Sequence, residues 1–461
     1  MKRTFLVMLC GVVCVAAAAA CGDDAATPSP VAEDDGGDEN NNDVVEPQCA
    51  VAWESGESAL EVGEGALVEL AVDVSGEAEG TPVVELPDGW ELWAETGEGQ
   101  WTLRAPYNPE GLDVTLSASV VCAGGETVAA QRDVSLRRLQ WRALEIEGEI
   151  PPAREHPHTW FDPEDPTLMY MFGGFAYEPQ SFTPTDDLWR LDLETLRWEA
   201  IPQEGEIPRF GGGRHAIGAD GELLLFGGDV PRERVASTSI YALSVSDGGG
   251  VWRERAPSNF NRSLGAVVYD APRDRFVSVC GLADGEMDCE PTVWSPESER
   301  WTTLSRSQAP ADRYGFFYGH DVERGRLVVA SGAGRGTNID PVNPHEDAWL
   351  LDLSQDAPVW TEIETEGTPA PGRRNGCGGW DQASQRLFVW GGTPDARTAS
   401  AGLYVLNLNE DGAGARWVQV MADEPPPRAS CLGAFDANAG RLIVGYGNSN
   451  VIYEDLWALE L

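Results

Sequence analysis

Lysine is almost missing: the only one in the 461 residues is Lys2, and every other basic residue is arginine. No basic residue at all lies between Thr4 and Leu103. A lysine nucleophile or Schiff base is therefore excluded once the N-terminus is removed. Lys and Arg total 32 against 76 Asp and Glu. Nucleic acid is a poor partner for that balance, because phosphate binding needs clustered cations, and an anionic membrane surface would repel it. The excess carboxylate favours a soluble monomer. Histidine is also scarce. His156, His158, His215, His320 and His345 are all there are; His156 and His158 could cooperate with His215 from the next repeat, but five histidines leave little for metal work and no metal is assigned. Missing as well are a Gly-x-Ser-x-Gly elbow, Cys-x-x-Cys, His-Glu-x-x-His and a P-loop. No catalytic residue and no cofactor is assigned. Long apolar helical patterns are few, whereas Gly (52) and Trp (17) are abundant, a mix that favours an all-β protein with tight turns.

The clearest local signal is N-terminal. Met1-Lys2-Arg3 is a short basic region, and Thr4 to Ala20 is apolar and ends in small residues. This reads as a secretory signal, residues 1–20, and not as a membrane span. Ala18-Ala19-Ala20-Cys21 resembles a bacterial lipobox, while Cys10 and Cys14 follow residues too large for it. The resemblance implies cleavage before Cys21, its acylation, palmitate among the chains, and stable anchoring by two or three of them. The expected location is the bacterial cell envelope, at the outer membrane. Membrane contact would be through the lipid alone. Six cysteines then remain, an even number in an oxidising compartment. Cys49 with Cys122 and Cys280 with Cys289 are expected disulfides. Cys377 with Cys431 requires Cα atoms within about 7 Å, which sequence leaves open.

Residues 21–48 are acidic and polar with almost no large apolar side chain, as an extended tether would be. Residues 49–138 form a second unit. Leu67 to Val74 and Val114 to Val120 alternate as half-buried strands do, and the spacing resembles an immunoglobulin-like β-sandwich.

From residue 139 the sequence repeats. Phe172-Gly173-Gly174, Phe226-Gly227-Gly228, Cys280-Gly281, Ser331-Gly332, Trp390-Gly391-Gly392 and Tyr446-Gly447 each end an apolar strand. A third strand follows, as in Asp187-Leu188-Trp189-Arg190-Leu191-Asp192-Leu193 and Asp455-Leu456-Trp457-Ala458-Leu459. A fourth is marked by Trp198, Trp252, Trp301, Trp360 or Trp417. Each indole is expected to pack between neighbouring blades and to find an acceptor for its N–H. The sixth repeat lacks its Trp strand, and Leu139 to Leu144, with Trp141, has that look at the other end. Closure of the last blade by residues 139–146 would remove an exposed edge. Asp162, Asp270, Asp321, Asp381 and Asp436 mark turns between the first two strands.

Paired glycines, the Asp-Leu-Trp strand and the spaced Trp make residues 139–461 resemble kelch-repeat propellers, with blades of about 50 residues. The expected architecture is a six-bladed kelch-type β-propeller behind the sandwich. Arg154, Arg209, Arg262, Arg313, Arg374 (or Arg373) and Arg428 begin successive repeats. One reading makes them a ring around the channel that binds anions such as acidic sugars; the other pairs each with a neighbouring blade's Asp187, Asp347 or Asp455. The loops between second and third strands carry Tyr177, Phe182, Arg232, Arg234, Arg335, Asn338 and His345, a mix suited to a protein or glycan partner. Non-enzymatic binding of a protein or carbohydrate through one face is the expected function. The rivals are a sugar-acting enzyme such as a sialic-acid mutarotase, which kelch type and blade number imply, and a purely structural envelope scaffold.

Overall fold

The computed structural model describes residues 49–54, 59–178, 181–230, 235–236, 239–246, 248–257, 262–283, 286–304, 308–336, 342–395 and 398–461. The signal, Cys21 and the tether lie outside these residues. Among the described residues every regular element is a strand except one turn of 3-10 helix, Ala271–Arg273.

The first 90 residues of this unit make two four-stranded sheets. One has the order Cys49–Trp53, Leu67–Gly76, Gln100–Arg104, Glu91–Gly97; the other has Leu60–Gly63, Thr127–Arg137, Asp113–Cys122, Ala78–Glu85. Alternation works as expected: Leu70 and Val72 from one sheet, and Leu116, Ala118 and Val134 from the other, are buried in a common core with Trp90, Trp101 and Leu103. Cys49 and Cys122 are disulfide-bonded across the sheets, Cα atoms 5.4 Å apart.

Residues 140–461 make six sheets of four principal antiparallel strands. In the first, His158–Phe161, Leu168–Phe172, Leu188–Asp192 and Arg197–Ile201 follow one another from the inner edge outward. The inner strands of the next five are Arg214–Ile217, Ala266–Asp270, Phe317–Asp321, Cys377–Asp381 and Leu432–Asp436. The sixth sheet contains three C-terminal strands and takes its outer strand, Gln140–Ala143, from the beginning of the repeat region, paired Trp141 to Leu459.

Neighbouring sheets are joined in three ways. The fourth-strand Trp packs on the preceding sheet: Phe172 and Trp252 have ring centroids 4.5 Å apart, Phe226 and Trp301 5.7 Å, and Trp390 and Trp141 5.5 Å. Trp198 of the first repeat shares a core with Ile443, Leu456 and Ala458 of the last. In four repeats the N–H of the second residue of the Gly-Gly position donates to a carbonyl of the following repeat: Gly281 to Arg313, Gly332 to Arg373 and Gly392 to Arg428, all 2.8 Å, and again Gly447 to Arg154, 2.9 Å. Finally, Cys377 and Cys431 bridge the inner strands of the fifth and sixth sheets, Cα atoms 5.5 Å apart, while Cys280 and Cys289 close a short loop.

The indoles depart from expectation. Trp252 donates to Gln203 at 2.7 Å, but the ring nitrogens of Trp141, Trp198, Trp360 and Trp417 are buried without an acceptor. Apolar packing outweighs the lost hydrogen bond there.

Gly-Gly positions are a backbone requirement. The first residue has φ of 52–69° in all six repeats, including Cys280, Ser331 and Tyr446; the second has φ of 77–115° and is always Gly. Left-handed φ near 55° is costly but open to other residues, whereas the second position lies largely beyond it. Three repeats therefore keep one glycine.

The two-sheet domain is bolted to the fifth repeat. Arg104, 3% exposed, donates to Gly65 O (3.0 Å), Ser384 O (2.9 Å) and Asn407 Oδ1 (3.2 Å). Arg386, 1% exposed, binds Asp381 Oδ2 at 2.9 Å and Glu64 O at 2.8 Å. Tyr107 donates to Asn407 Oδ1 at 2.7 Å, and Trp93 to Leu408 O at 3.1 Å. Arg416 pairs with Glu91. A buried guanidinium left without acceptors is costly, so Arg104→Ala should lower the melting temperature by roughly 5–15 °C. Scanning calorimetry checks this; a shift within about 1 °C would make the contact incidental.

Candidate functional site

The repeats converge on their inner strands. Just before each stands a left-handed residue: His156, Gly212, Leu264, Gly315, Asn375 and Ser430. These are chained by backbone hydrogen bonds. His156 N–H donates to Ser430 O (2.7 Å), Ser430 to Asn375 (2.6 Å), Asn375 to Gly315 (2.7 Å), Gly315 to Leu264 (2.8 Å) and Leu264 to Gly212 (2.8 Å). One residue per repeat, running from the first to the last and on through the others, forms a collar.

The collar surrounds a cavity of about 360 Å³ between the inner strands. His156, His158, Arg214, His215, Tyr318, Asn375, Trp380 and Phe435 are among its walls, with the Cys377–Cys431 disulfide; among the described residues no Asp or Glu lines it. Glycines 213, 315, 376, 378, 379 and 433 keep it open. His158 and His215 have ring centroids 5.9 Å apart. His158 Nε2, His215 Nδ1 and Asn375 Oδ1 are buried without a partner. Burial pushes His156 down to about 3, helped by Arg214 and Arg374, and His215 down to about 4, helped by Arg214. His158 is depressed by burial, then by His215 and Arg214. All three are neutral imidazoles at pH 7. Among the described residues no three His, Cys, Asp or Glu side chains are grouped as metal ligands.

Histidines held neutral in the fold but basic when unfolded stabilise above pH about 6.5, and that stability is lost as pH falls toward the folded values. The melting temperature should therefore decline between pH 6.5 and 4.5, and His215→Gln should flatten the decline. An equally steep profile in the variant would remove the histidine from the effect.

The expected arginine ring is not at this cavity. Arg154 and Arg313, both fully buried, form two-pronged pairs with Asp187 (2.7 and 2.6 Å) and Asp347 (2.7 and 2.8 Å). Arg428 does the same with Asp455 (2.5 and 3.2 Å). The aspartates belong to the same repeat and not, as expected, to a neighbour. The Trp two residues on donates to each carboxylate: Trp189 at 2.6 Å, Trp349 at 2.7 Å and Trp457 at 2.8 Å. Arg262 pairs with Asp288 at 2.5 Å. Two assignments need correction. In the fifth repeat the buried position belongs to Arg373, which binds Gly391 O at 3.2 Å and lies 5.0 Å over Tyr404. Arg374 instead sits half-exposed, 5.2 Å over Tyr314. In the second repeat Phe210 fills the position, and Arg209 turns outward to Asp186 at 3.1 Å. The cavity's arginine is Arg214, which sequence reading passed over. A residue count from each collar position would have placed it on an inner strand.

Between second and third strands, several repeats carry a small hairpin: Phe175–Glu178 with Ser181–Pro184, Asp229–Val230 with Val235–Ala236, Leu282–Ala283 with Glu286–Met287, and Ala333–Arg335 with Val342–Pro344. Each lies at the collar end; Arg154 pairs with Ala176 and Tyr314 with Ala333. Arg335 is exposed at a hairpin strand's end. Tyr177 belongs to the first hairpin's backbone, and His345 N–H donates to Gly332 O at 2.9 Å. Arg232, Arg234 and Asn338, and the side chains of Tyr177 and Phe182, lie outside the described residues.

At the opposite end the first-to-second turns share a device missed in the sequence. The turn Asp is bound by an Arg five residues later in four repeats: Asp270–Arg275 (2.8 Å), Asp321–Arg326 (2.8 Å), Asp381–Arg386 (2.9 Å) and Asp436–Arg441 (3.0 Å).

Six similar four-stranded sheets with glycine pairs and Trp-marked outer strands are the pattern of kelch repeats. Residues 114–316 match the KLHDC2/KLHL20/DRC7 Kelch-repeats domain model. Adagio-like protein 1 of Oryza sativa subsp. japonica is 22% identical over 365 residues, covering 73% of this chain and 53% of that protein. Kelch domain-containing protein 2 of Mus musculus is 28% identical over 110 residues, 22% of this chain and 27% of that protein. The chain thus spans about half of the first relative and about a quarter of the second. These likenesses support kelch repeats within the chain, and its all-β fold is consistent with a propeller.

Proposed function

We propose that residues 139–461 form a closed six-bladed kelch propeller, borne on an immunoglobulin-like domain and lipid-anchored at Cys21 in a bacterial envelope, that binds a protein or carbohydrate without catalysis. Kelch repeats favour an interaction role. Closure is supported by Trp141 pairing with Leu459, by Trp198 packing on the sixth repeat, and by the Gly447 to Arg154 bond. The observation that carries the binding face is its position. Hairpins and collar lie at one end of the repeats, while Arg104 and Arg386 seat the sandwich on turns at the other. The end away from the anchored side is left for a partner.

Chemical cross-linking of the full chain to bound partner, with glycan-array screening beside it, tests this reading. Cross-links should map to the hairpins around residues 175–184 and 333–344. Cross-links confined to the sandwich or the Asp–Arg turns would overturn it. Anchoring has its own test. Cys21→Ala should abolish palmitate incorporation and move the protein from the membrane to the soluble fraction, and unchanged membrane retention would refute acylation at that residue.

A further inference from the structure

We propose that the Cys377–Cys431 disulfide is an exchangeable latch on the collar cavity, opened by a dithiol reductant and closed again by oxidation. The latch is independent of which partner the collar end takes.

Access separates this disulfide from the other two. Cys377 and Cys431 both line the cavity, and Cys431 is half-buried where Cys377 is 1% exposed. Cys280 and Cys289 are fully buried, and Cys49 and Cys122 stand at 5% and 1%. Exchange begins with a thiolate reaching one sulfur, so the reagent's path runs through the cavity to Cys431. In a chain with 76 acidic residues, no Asp or Glu among the described residues lines that cavity, and the incoming thiolate meets no like charge from its walls. Attack at Cys431 Sγ breaks the S–S bond, and Cys377 leaves as a thiolate that takes up a proton. The reagent's second thiol then displaces Cys431, which is protonated in turn, and the reagent ends as a disulfide. Two electrons and two protons pass from the dithiol to the cystine.

The repeat pattern shows why the bond can open without unfolding the sheets. Counted from the collar, Cys377 is the second residue after Asn375 and Cys431 the first after Ser430. The same two positions meet at other junctions without a covalent bond. Arg214 donates from Nε to Gly265 O at 2.5 Å, and the Phe317 ring fills the space that a side chain at Gly376 would take. Between the fifth and sixth repeats other contacts remain once the sulfurs part. Ser430 N–H donates to Asn375 O at 2.6 Å, and Gly392 N–H to Arg428 O at 2.8 Å. The two inner strands run so close that a Cβ on Gly433 would strike the backbone of Gly378. Cys377 also shares a core with Trp390, Leu403, Leu442 and Val444, drawn from both repeats. Reduction therefore turns this covalent junction into the kind its neighbours already use. It frees the inner strands Cys377–Asp381 and Leu432–Asp436 to part at the cavity.

Treatment of the folded full chain with dithiothreitol, followed by iodoacetamide trapping and peptide mass mapping, tests the site. Cys377 and Cys431 should be labelled at least about 10-fold faster than the cysteines of the other two disulfides. The reduced protein should still unfold cooperatively, with a melting temperature roughly 5 °C lower. Hydrogen exchange at Ser430 and Gly392 should speed up by about 10-fold or more, while Leu264, bonded to Gly212 in the same collar, stays unchanged. Oxidised glutathione should reverse both changes. The double variant Cys377→Ala with Cys431→Ala should exchange like the reduced parent and ignore dithiothreitol. Equal or earlier labelling of another pair, loss of the cooperative transition on reduction, or unchanged exchange at Ser430 would each overturn the proposal. So would a change in the double variant's exchange on adding dithiothreitol, which would place the effect at another disulfide.

Discussion

Arg313→Ala is expected to destabilise the repeats by about 3–5 kcal/mol, the usual cost of removing one member of a buried ion pair. For a unit of this size that is a fall of roughly 10 °C in melting temperature. Arg313 is fully buried, and its guanidinium is spent in every direction. It donates to Asp347 twice, to Ala311 O at 3.0 Å and to Ser331 O at 3.0 Å. Asp347 also accepts from Trp349. Truncation would leave the carboxylate half-buried with only the indole, and two carbonyls with nothing. Arg313→Lys should recover little, because a point charge cannot fill a planar fork. Arg313→Met combined with Asp347→Asn should recover much of the loss, since no charge is then left unpaired. A single variant melting within about 2 °C of the parent would show the pair to be dispensable.

The same joint carries an acid signature. Burial acts to raise the Asp347 carboxyl, but hydrogen bonds and charge from Arg313, with Trp349, outweigh it and hold it below the usual range. Asp187 and Asp455 behave alike. A depressed carboxyl stabilises above its unfolded value of about 3.9 and loses that contribution as pH falls through the folded one. These joints thus weaken only in strong acid, well below the pH at which the histidines act.

How much of this was readable beforehand depended on whether backbone or side-chain geometry was at stake. Glycine pairs and Trp strands recur because every sheet needs the same left-handed step and the same inter-sheet wedge, so repetition exposed them. The outer strand containing Trp141 could be placed for the same reason. Arginine roles were not readable in that way. Arg373 and Arg374 are adjacent, and a one-residue difference in register separates a buried joint from a half-exposed side chain stacked on Tyr314. Phe210 replaces the joint's arginine altogether, with Arg209 beside it as a decoy. Arg104 and Arg386 meet across more than 250 residues of sequence, at a domain contact that local pattern does not encode. Cys377 and Cys431 could be named but not paired, because pairing depends on how closely two sheets approach. The collar was invisible for a related reason: its members share a backbone angle and almost no chemistry, being His, Gly, Leu, Gly, Asn and Ser.

A larger loss is expected from cutting the chain after Asp455. The final strand, Leu456–Glu460, is the only bridge between Arg441–Gly445 and the outer strand Gln140–Ala143. Without it, Leu442, Ile443 and Val444, all fully buried, lose their covering side chains, and Trp141 loses its ladder. Trp198 of the first repeat packs on Leu456 and Ala458, so the damage reaches the next sheet as well. An open edge on each side of the gap would then be free to pair with other chains. The truncated protein should lose its cooperative unfolding transition near the parent's temperature, become sensitive to limited proteolysis around residues 140–146, and aggregate. In the closed ring proposed above every repeat depends on both neighbours, so only the missing strand itself is expected to repair the damage. Adding the missing strand back as a synthetic peptide of residues 456–461 should restore protease resistance in proportion to its concentration. A truncated protein that melts cooperatively within a few degrees of the parent would mean that the sixth sheet is an appendage and that the ring is not closed through it.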